Sequence, residues 1–586
     1  MSFAELKATR DANADPQEPR AAPASDAPED ALYRSIPRSM LEIRRDSDKG
    51  RGLWAKRNLG AGHTILALPP YASALSTANL TTHCSLCTRP GASKRCPRCQ
   101  IVHYCNSTCQ TADWTLHQLE CAALRRCMAP PSTSEQEAGI PNDAIRCLAR
   151  GMWRRRKKGF EGDWVRRTRH FRFLCSHCLR PVKWTRCKLH THLAMSLVRF
   201  LGLTSPQELA EYGIQSGAEL AQIVAKFTTN TFTLSSPDLT PLGACVSPPV
   251  ALINHACQPN AVVVFPGSKS GGKEPIMQVV AIHPIREGEE ARILTAYIDT
   301  TLPAELRRQA LKETYCFDCD CSLCRGAEAA DARASVWCHK RCGGLCRMPT
   351  DENPFSRCFT CGTVLRDTDA VLDATRGGQQ GLDKATAVQF TDPEKACQLT
   401  TNLIPILASA GLPPSTHPLL ALRRLHLAML IEDISLSASA SPTSTPEETQ
   451  TALDEAIVTA TQVCAGLDLL LFPGHPVRAL ARAELGKLLA VDEPAPPAPG
   501  PQKYPPSGPA RLRMALETLL AARDELRVGF GVANEGGEVG NAVREDIVRL
   551  EKEMAVWKLG VGNAMKDAGL SLSLAGKKTS LACESE

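Results

Sequence analysis

The 586-residue sequence predicts an α+β protein, β-rich in its first half and helical in its second, and three observations lead there. Between residues 84 and 121 the chain reads C-x2-C-x8-C-x2-C-x5-C-x3-C-x7-H-x3-C, the eight positions being Cys84, Cys87, Cys96, Cys99, Cys105, Cys109, His117 and Cys121. Short alternating apolar runs, the mark of half-buried strands, lie on both sides of that module. Beyond about residue 366 the apolar residues recur at the spacing of helices that bury one stripe. Eight N/S ligands make two tetrahedral zinc sites, because zinc takes four such ligands at about 2.0–2.3 Å and a C-x2-C pair sets two thiolates on one knuckle. Spacing alone permits either sequential or interleaved pairing of the eight.

Cys257 with Cys319, Cys321 and Cys324 offers a third tetrahedron, which would tie the loop Asn254-His255-Ala256-Cys257-Gln258-Pro259-Asn260 to a segment about sixty residues downstream. A chain this long buries an ample core without staples, so these sites act locally. Among the 26 cysteines, Cys338, Cys342, Cys346, Cys358 and Cys361 supply at most one further four-ligand site, with Cys358 and Cys361 its first candidates. Scattered Cys147, Cys245, Cys397 and Cys464 read as small buried hydrophobes. A net charge of +6 is mild and implies no bulk affinity for nucleic acid. No secretory apolar region opens the chain and no run of eighteen apolar residues appears. The thiols therefore read as metal ligands of an intracellular protein rather than as disulfides.

Taken in order, residues 1–36 are rich in Ala, Pro, Asp and Glu and cannot repay the entropy of ordering. In 37–83, strands are expected at 41–43, 53–55 and 64–68 around a turn-rich 46–52. The module at 84–121 closes with a helix that puts His117 and Cys121, at i and i+4, on one zinc. Residues 122–189 read as a solvated basic insertion with runs at 154–158 and 166–170, in which Cys175, Cys178 and Cys187, with His190 and His192 just beyond, are incidental. In 190–300, helical spacing over 193–230 gives way to strands at 230–234, 262–265, 277–281 and 293–297. Residues 301–325 carry the third site's downstream ligands and 326–365 the extra cysteines. The segment 366–565 is a helical domain, with runs at 384–412, 416–434, 446–470, 476–491 and 508–530 and a proline-rich connector over 494–509, followed by a tail at 566–586. Paired helices of this size suggest tetratricopeptide-like packing, although no strict period is visible.

Together these motifs resemble the SET and MYND domain family of protein lysine methyltransferases over about 39–125, 190–325 and, loosely, 440–560. The finger's resemblance rests on all eight ligands in order, with Tyr104 and Trp114 among them. It implies interleaving, with Cys84, Cys87, Cys105 and Cys109 on one zinc and Cys96, Cys99, His117 and Cys121 on the other. Lys49-Gly50-Arg51-Gly52-Leu53 is similar to the family's first cofactor motif, where glycines let backbone approach S-adenosylmethionine closely. The 254–260 loop is similar to the family's NHSCxPN, with Ala256 for the usual serine, a change between small residues. The resemblance implies that Lys49, Gly50, Arg51, Gly52, Asn230, Asn254, His255, Tyr297 and Phe317 bind the cofactor and that Tyr297 and Tyr315 are catalytic. It also implies that the 254–260 loop passes beneath a threaded C-terminal segment, against the usual rule. Phe472-Pro473-Gly474-His475-Pro476-Val477-Arg478 is similar to the start of a helix in the family's helical domain. Residues 151–189 match nothing that encloses the adenosine in the family.

The expectation is therefore a zinc-bearing, S-adenosylmethionine-dependent methyltransferase of protein lysines, monomeric, in nucleus and cytoplasm, with a proline-rich partner at the finger and no membrane contact. A catalytically silent adaptor that recruits partners through the finger is the alternative. A DNA-binding regulator would fit the basic runs but lacks a recognition-helix pattern.

Overall fold

The computed structural model describes residues 35–46, 50–128, 139–157, 184–267, 273–288, 292–325, 331–439, 445–494 and 504–567. Lys49, Cys175, Cys178, the 166–170 run, most of the N-terminal arm and the tail lie outside them. The chain begins with the antiparallel hairpin β1 (Leu41–Asp46) and β2 (Gly50–Ala55), followed by β3 (Thr64–Leu68) and β4 (Ala72–Leu75). The finger consists of β5 (Lys94–Arg95), β6 (His103–Tyr104) and the long helix α1 (Ser107–Met128). Four helices follow: α2 (Asp143–Lys157), α3 (Trp184–Leu201), α4 (Pro206–Ala210) and α5 (Gly217–Thr228). Then come β7 (Thr231–Ser235), β8 (Pro241–Val246), β9 (Asn254–His255), β10 (Ala261–Val264), β11 (Met277–Ala281), β12 (Leu294–Thr295) and helix α6 (Ala304–Thr314). A hairpin of β13 (Ser335–Trp337) and β14 (Leu345–Arg347) leads into α7 (Thr368–Val388), α8 (Pro393–Ser409), α9 (Leu419–Ser439), α10 (Pro446–Leu470), α11 (Pro476–Leu489), α12 (Gly508–Gly529) and α13 (Gly537–Asp567).

Two three-stranded sheets, ordered β10-β11-β3 and β4-β8-β7, both join segments from before and after the finger. The finger is thus an insertion into one β fold. Its Cys84, Val102, Tyr104 and Leu116 are continuous with the core that runs from Ile36 to Ile293. Every residue of β11 is buried, because the sheet is covered on both faces. Side chains alternate across a strand: Val279 belongs to the first core, while Val280 joins Val264 and the helices α9–α13 in a second.

Several sequence expectations shift in detail. The 384–412 run is two helices, because Pro393 occupies the first turn of α8 and Asp392 caps it by accepting from the Lys395 amide. The 293–297 strand shrinks to β12, and the helical 193–230 divides into α3, α4 and α5. β4 and β8 were not anticipated, both being rich in small residues that give little alternation. The solvated basic insertion needs correction where it is described. Helix α2 packs beside β4 and β8, and within it Arg146 and Arg150 are 1% and 4% exposed. Cys147, Cys245 and Cys464 are buried as expected, whereas Cys397 is half-buried.

Candidate active site and metal centres

In the finger, the ligand atoms of Cys84, Cys87, Cys105 and Cys109 converge within 4.8 Å of one another, and so do those of Cys96, Cys99, His117 and Cys121. The pairing is interleaved. Sulfur separations of 3.5 Å for Cys87 and Cys105 and 4.0 Å for Cys96 and Cys121 bracket the edge of about 3.8 Å that a tetrahedron of 2.3 Å zinc–sulfur bonds would have. These donor sets fit zinc. His117 directs Nε2 to the Cys99 sulfur while its Nδ1 lies 3.4 Å from Glu120, the carboxylate that fixes ring and tautomer behind a metal-bound histidine.

Glu120 is fully buried, which should raise its pKa, but Arg150 and Arg146 more than offset that and hold the carboxyl well below the usual range. Arg150 reaches Glu120 at 2.6 Å and Asp113 at 2.5 Å, Arg146 reaches Glu120 at 3.2 Å, and the Tyr104 hydroxyl donates to Asp113. This charge cluster fastens the finger's helix α1 to α2. Sequence reasoning missed it, although a signal was present: Asp113 and Glu120 sit at i−4 and i+3 from His117, on the face of α1 that carries ligands.

The third set, Cys257, Cys319, Cys321 and Cys324, also converges within 4.8 Å and fits a tetrahedral zinc. Strand β9 pairs in parallel with β12, and the Ala256 amide donates to the Thr295 carbonyl. The Asn260 amide holds the same segment twice, donating to the Arg292 carbonyl and accepting from the Leu294 amide, each at 2.8 Å. Residues 292–297 therefore lie against the 254–260 loop, and Cys257 binds that loop to the chain beyond α6. Buried Arg307 lies behind this centre, with its Nη2 3.9 Å from the Cys324 sulfur.

Around this centre the expected site residues come together. The Asn254 side chain donates to the Arg51 carbonyl at 3.1 Å, linking the glycine motif to the loop. Gly50 adopts φ 71°, which favours glycine. A Cβ on Gly52 would lie 2.7 Å from the Asn254 amide nitrogen and 2.8 Å from the Trp54 ring, so only glycine lets the backbone sit there. Arg292 covers the Trp54 ring at 4.8 Å and pairs with Asp46, closing the hairpin beneath. The Tyr297 amide donates to His255 Nδ1, and its hydroxyl donates to the Ile253 carbonyl at 2.5 Å. Tyr315 packs against Tyr297 with centroids 4.9 Å apart and the rings tilted by 45°, and it donates to the Tyr297 carbonyl. Phe317 lies 6.0 Å from the His255 ring. The left-handed turn at Cys316 (φ 63°) reverses the chain after α6 and brings both aromatic residues onto this cluster. Burial lowers the His255 pKa to about 4, and its Nε2 lies 3.2 Å from the Cys257 sulfur. The Asn230 amide donates to the Lys226 carbonyl and the Thr229 hydroxyl, at the end of its own helix.

The paired cradles define the class of the 84–121 module, and its sequence matches the MYND finger family over those residues. Beyond the finger, the chain is similar to curated lysine methyltransferases. It is 30% identical to N-lysine methyltransferase SMYD2-B of Xenopus laevis over 294 residues, 49% of this chain and 61% of that protein. It is 28% identical to the Homo sapiens SMYD2 over 49% of this chain and 61% of that protein. Histone-lysine N-methyltransferase ASHR1 of Arabidopsis thaliana is 27% identical over 63% of this chain and 73% of its own length. The chain thus spans about three fifths of the length of the SMYD2 proteins it matches. A crystal structure titled as the SET domain of LSMT bound to lysine and AdoHcy overlaps at TM-score 0.25 and 10% identity, over 80% of this chain and 93% of that one. A match that loose carries no argument.

Proposed function

We propose that this protein transfers a methyl group from S-adenosylmethionine to the side-chain amine of protein lysines. One observation carries the reading: Asn254, Gly52, His255, Tyr297, Tyr315 and Phe317 meet at the zinc-bound 254–260 loop. The named activities of the SMYD2 and ASHR1 relatives support it. The residues fit the cofactor, since Asn254 and Trp54 occupy the place a side chain at Gly52 would need and so keep the Gly50–Gly52 backbone bare beside the loop, with Asn254 bonded to it.

When bound, the cofactor supplies a methyl group on a positively charged sulfur. The chain's own residues then have three tasks: to align the incoming amine with that methyl, to exclude water and to favour the uncharged amine. Tyr297 and Tyr315, held by each other and by the Ile253 carbonyl, present hydroxyl and carbonyl oxygens that orient the amine and accept weak C–H contacts from the methyl. These oxygens would hold the amine in line for the transfer, and the proton that the amine gives up would pass from them to solvent. Phe317, beside the His255 ring, supplies the aromatic wall. Lys49 and Asn230 belong to the cofactor's surroundings in this reading.

The substrate is a protein, a proline-rich partner docks at the finger, and the protein acts as a monomer in nucleus and cytoplasm without binding DNA. None of the described helices is long and apolar enough to cross a membrane. Isotope transfer from labelled cofactor into a broad panel of proteins tests the activity, with labelled lysine as the expected outcome. A protein that binds cofactor and labels nothing would favour the adaptor alternative.

A further inference from the structure

We propose that Cys338, Cys342, Cys358 and Cys361 bind a fourth, purely structural zinc, outside the finger and the cofactor loop. Their four sulfurs lie within 4.8 Å of one another. The Cys338–Cys361 and Cys342–Cys358 separations are 3.6 and 3.5 Å. That is close to the tetrahedral edge of about 3.8 Å for 2.3 Å bonds and far from the 2.05 Å or so of a disulfide.

The backbone is shaped for a metal in the way a pair of knuckles requires. A left-handed residue follows or precedes each pair: Arg341 (φ 55°) and Gly343 (φ 78°) flank Cys342, and Gly362 (φ 69°) follows Cys361. Backbone amides turn toward the sulfurs, those of Cys361 and Thr360 on Cys358, that of Gly344 on Cys342 and that of Thr363 on Cys361. A Cβ on Gly344 would lie 2.7 Å from the Cys358 sulfur, so glycine is what lets the two knuckles close on each other. Four thiolates on one zinc carry two net negative charges, and Lys340 and Arg341, between Cys338 and Cys342 in sequence, place cations beside them. The fifth cysteine is excluded by position. Cys346 lies fully buried behind the site and approaches the Cys358 thiol, but it is not among the four sulfurs that lie within 4.8 Å of one another.

The module secures the first helices of the C-terminal layer. The apolar cluster beneath the hairpin includes Val371 of α7, Leu407 of α8 and Leu419 of α9, and the Trp337 amide of β13 donates to the Gly411 carbonyl after α8. Because ligands are not gathered in the unfolded chain, zinc binding here adds to the stability of this corner. Two of the four ligands, Cys342 and Cys361, are solvent-exposed, whereas the other three centres have only buried or half-buried ligands. This zinc is therefore the most accessible of the four.

Native mass spectrometry of the purified full chain is expected to give four zinc ions, and Cys361→Ser three, while Cys346→Ala keeps four. A parent with three zinc ions, or a Cys361→Ser protein with an unchanged count, would overturn the site. A measurement on the parent alone guards against a variant that does not fold: iodoacetamide should leave Cys342 and Cys361 unmodified until a chelator is added, then alkylate both. Immediate alkylation of both in untreated protein would sink the proposal equally, since exposed free thiols react and zinc thiolates are shielded.

Discussion

Tyr297 and Gly52 carry the sharpest consequences of the site. The Tyr297 hydroxyl donates to a backbone carbonyl beside the cofactor loop, so Tyr297→Phe removes one hydrogen bond and keeps the ring that packs on Tyr315 and His255. An interaction used only at the transition state lowers turnover rather than binding. Methyl transfer should fall at least about a hundredfold, roughly 2.7 kcal/mol of barrier, with cofactor affinity changed only a fewfold. Full activity in the phenylalanine variant would remove Tyr297 from catalysis. Gly52→Ala acts differently, because its methyl group would displace the Asn254 amide or the Trp54 ring. Leaving a buried polar group unpaired costs about 1–3 kcal/mol, so calorimetry on Asn254→Ala should show cofactor binding weakened by roughly ten- to a hundredfold. Gly52→Ala should match it with all zinc retained. Most of these residues were legible in sequence, since Gly-x-Gly, the 254–260 loop and the tyrosines are contiguous words. Asn230 carried no such word, and its side chain is engaged at the end of α5.

At the scale of elements, the finger's helix α1 depends on two arginines from another helix. Removing one partner of a buried ion pair leaves an uncompensated charge and costs about 3–5 kcal/mol. Arg150→Ala would strip Asp113 of its arginine and leave Glu120 with Arg146 alone, so denaturant unfolding should show a loss of that size. The His117 zinc should then exchange faster, because Glu120, which braces the ring, loses one of its two arginine anchors. Unchanged stability would mean that solvent reaches those carboxylates. A second test concerns the 254–260 loop: Cys257→Ser should lose one zinc and, in the same variant, raise hydrogen exchange in β9 and β12. Helix α2 shows why one stretch resisted sequence reading. Its arginines look solvated in isolation, and only the carboxylates of a helix some thirty residues earlier reveal them as buried. By contrast, α10 begins with a capping box at Thr445 and Glu448, and its expected limits coincide with the observed ones.

Across the whole molecule, the C-terminal helices are built onto the β core. Val532 donates its amide to the Gly62 carbonyl, the Asn534 side chain donates to Gln278 of β11, and buried Arg333 bonds to the carbonyls of Thr300 and Leu470. Scanning calorimetry should therefore record β core and helical layer melting in one transition; two well-separated peaks would show them to be independent. Strand β11 gives that coupling its reach. Val279 and Val280 are neighbours in sequence yet serve opposite rooms, so the strand works as a party wall. Neither tenant can be moved out alone. A fragment cut before α7 would expose Val264 and Val280 as a greasy outer face prone to clumping, and a helical layer borrowed from another protein would have to bring its own matching wall.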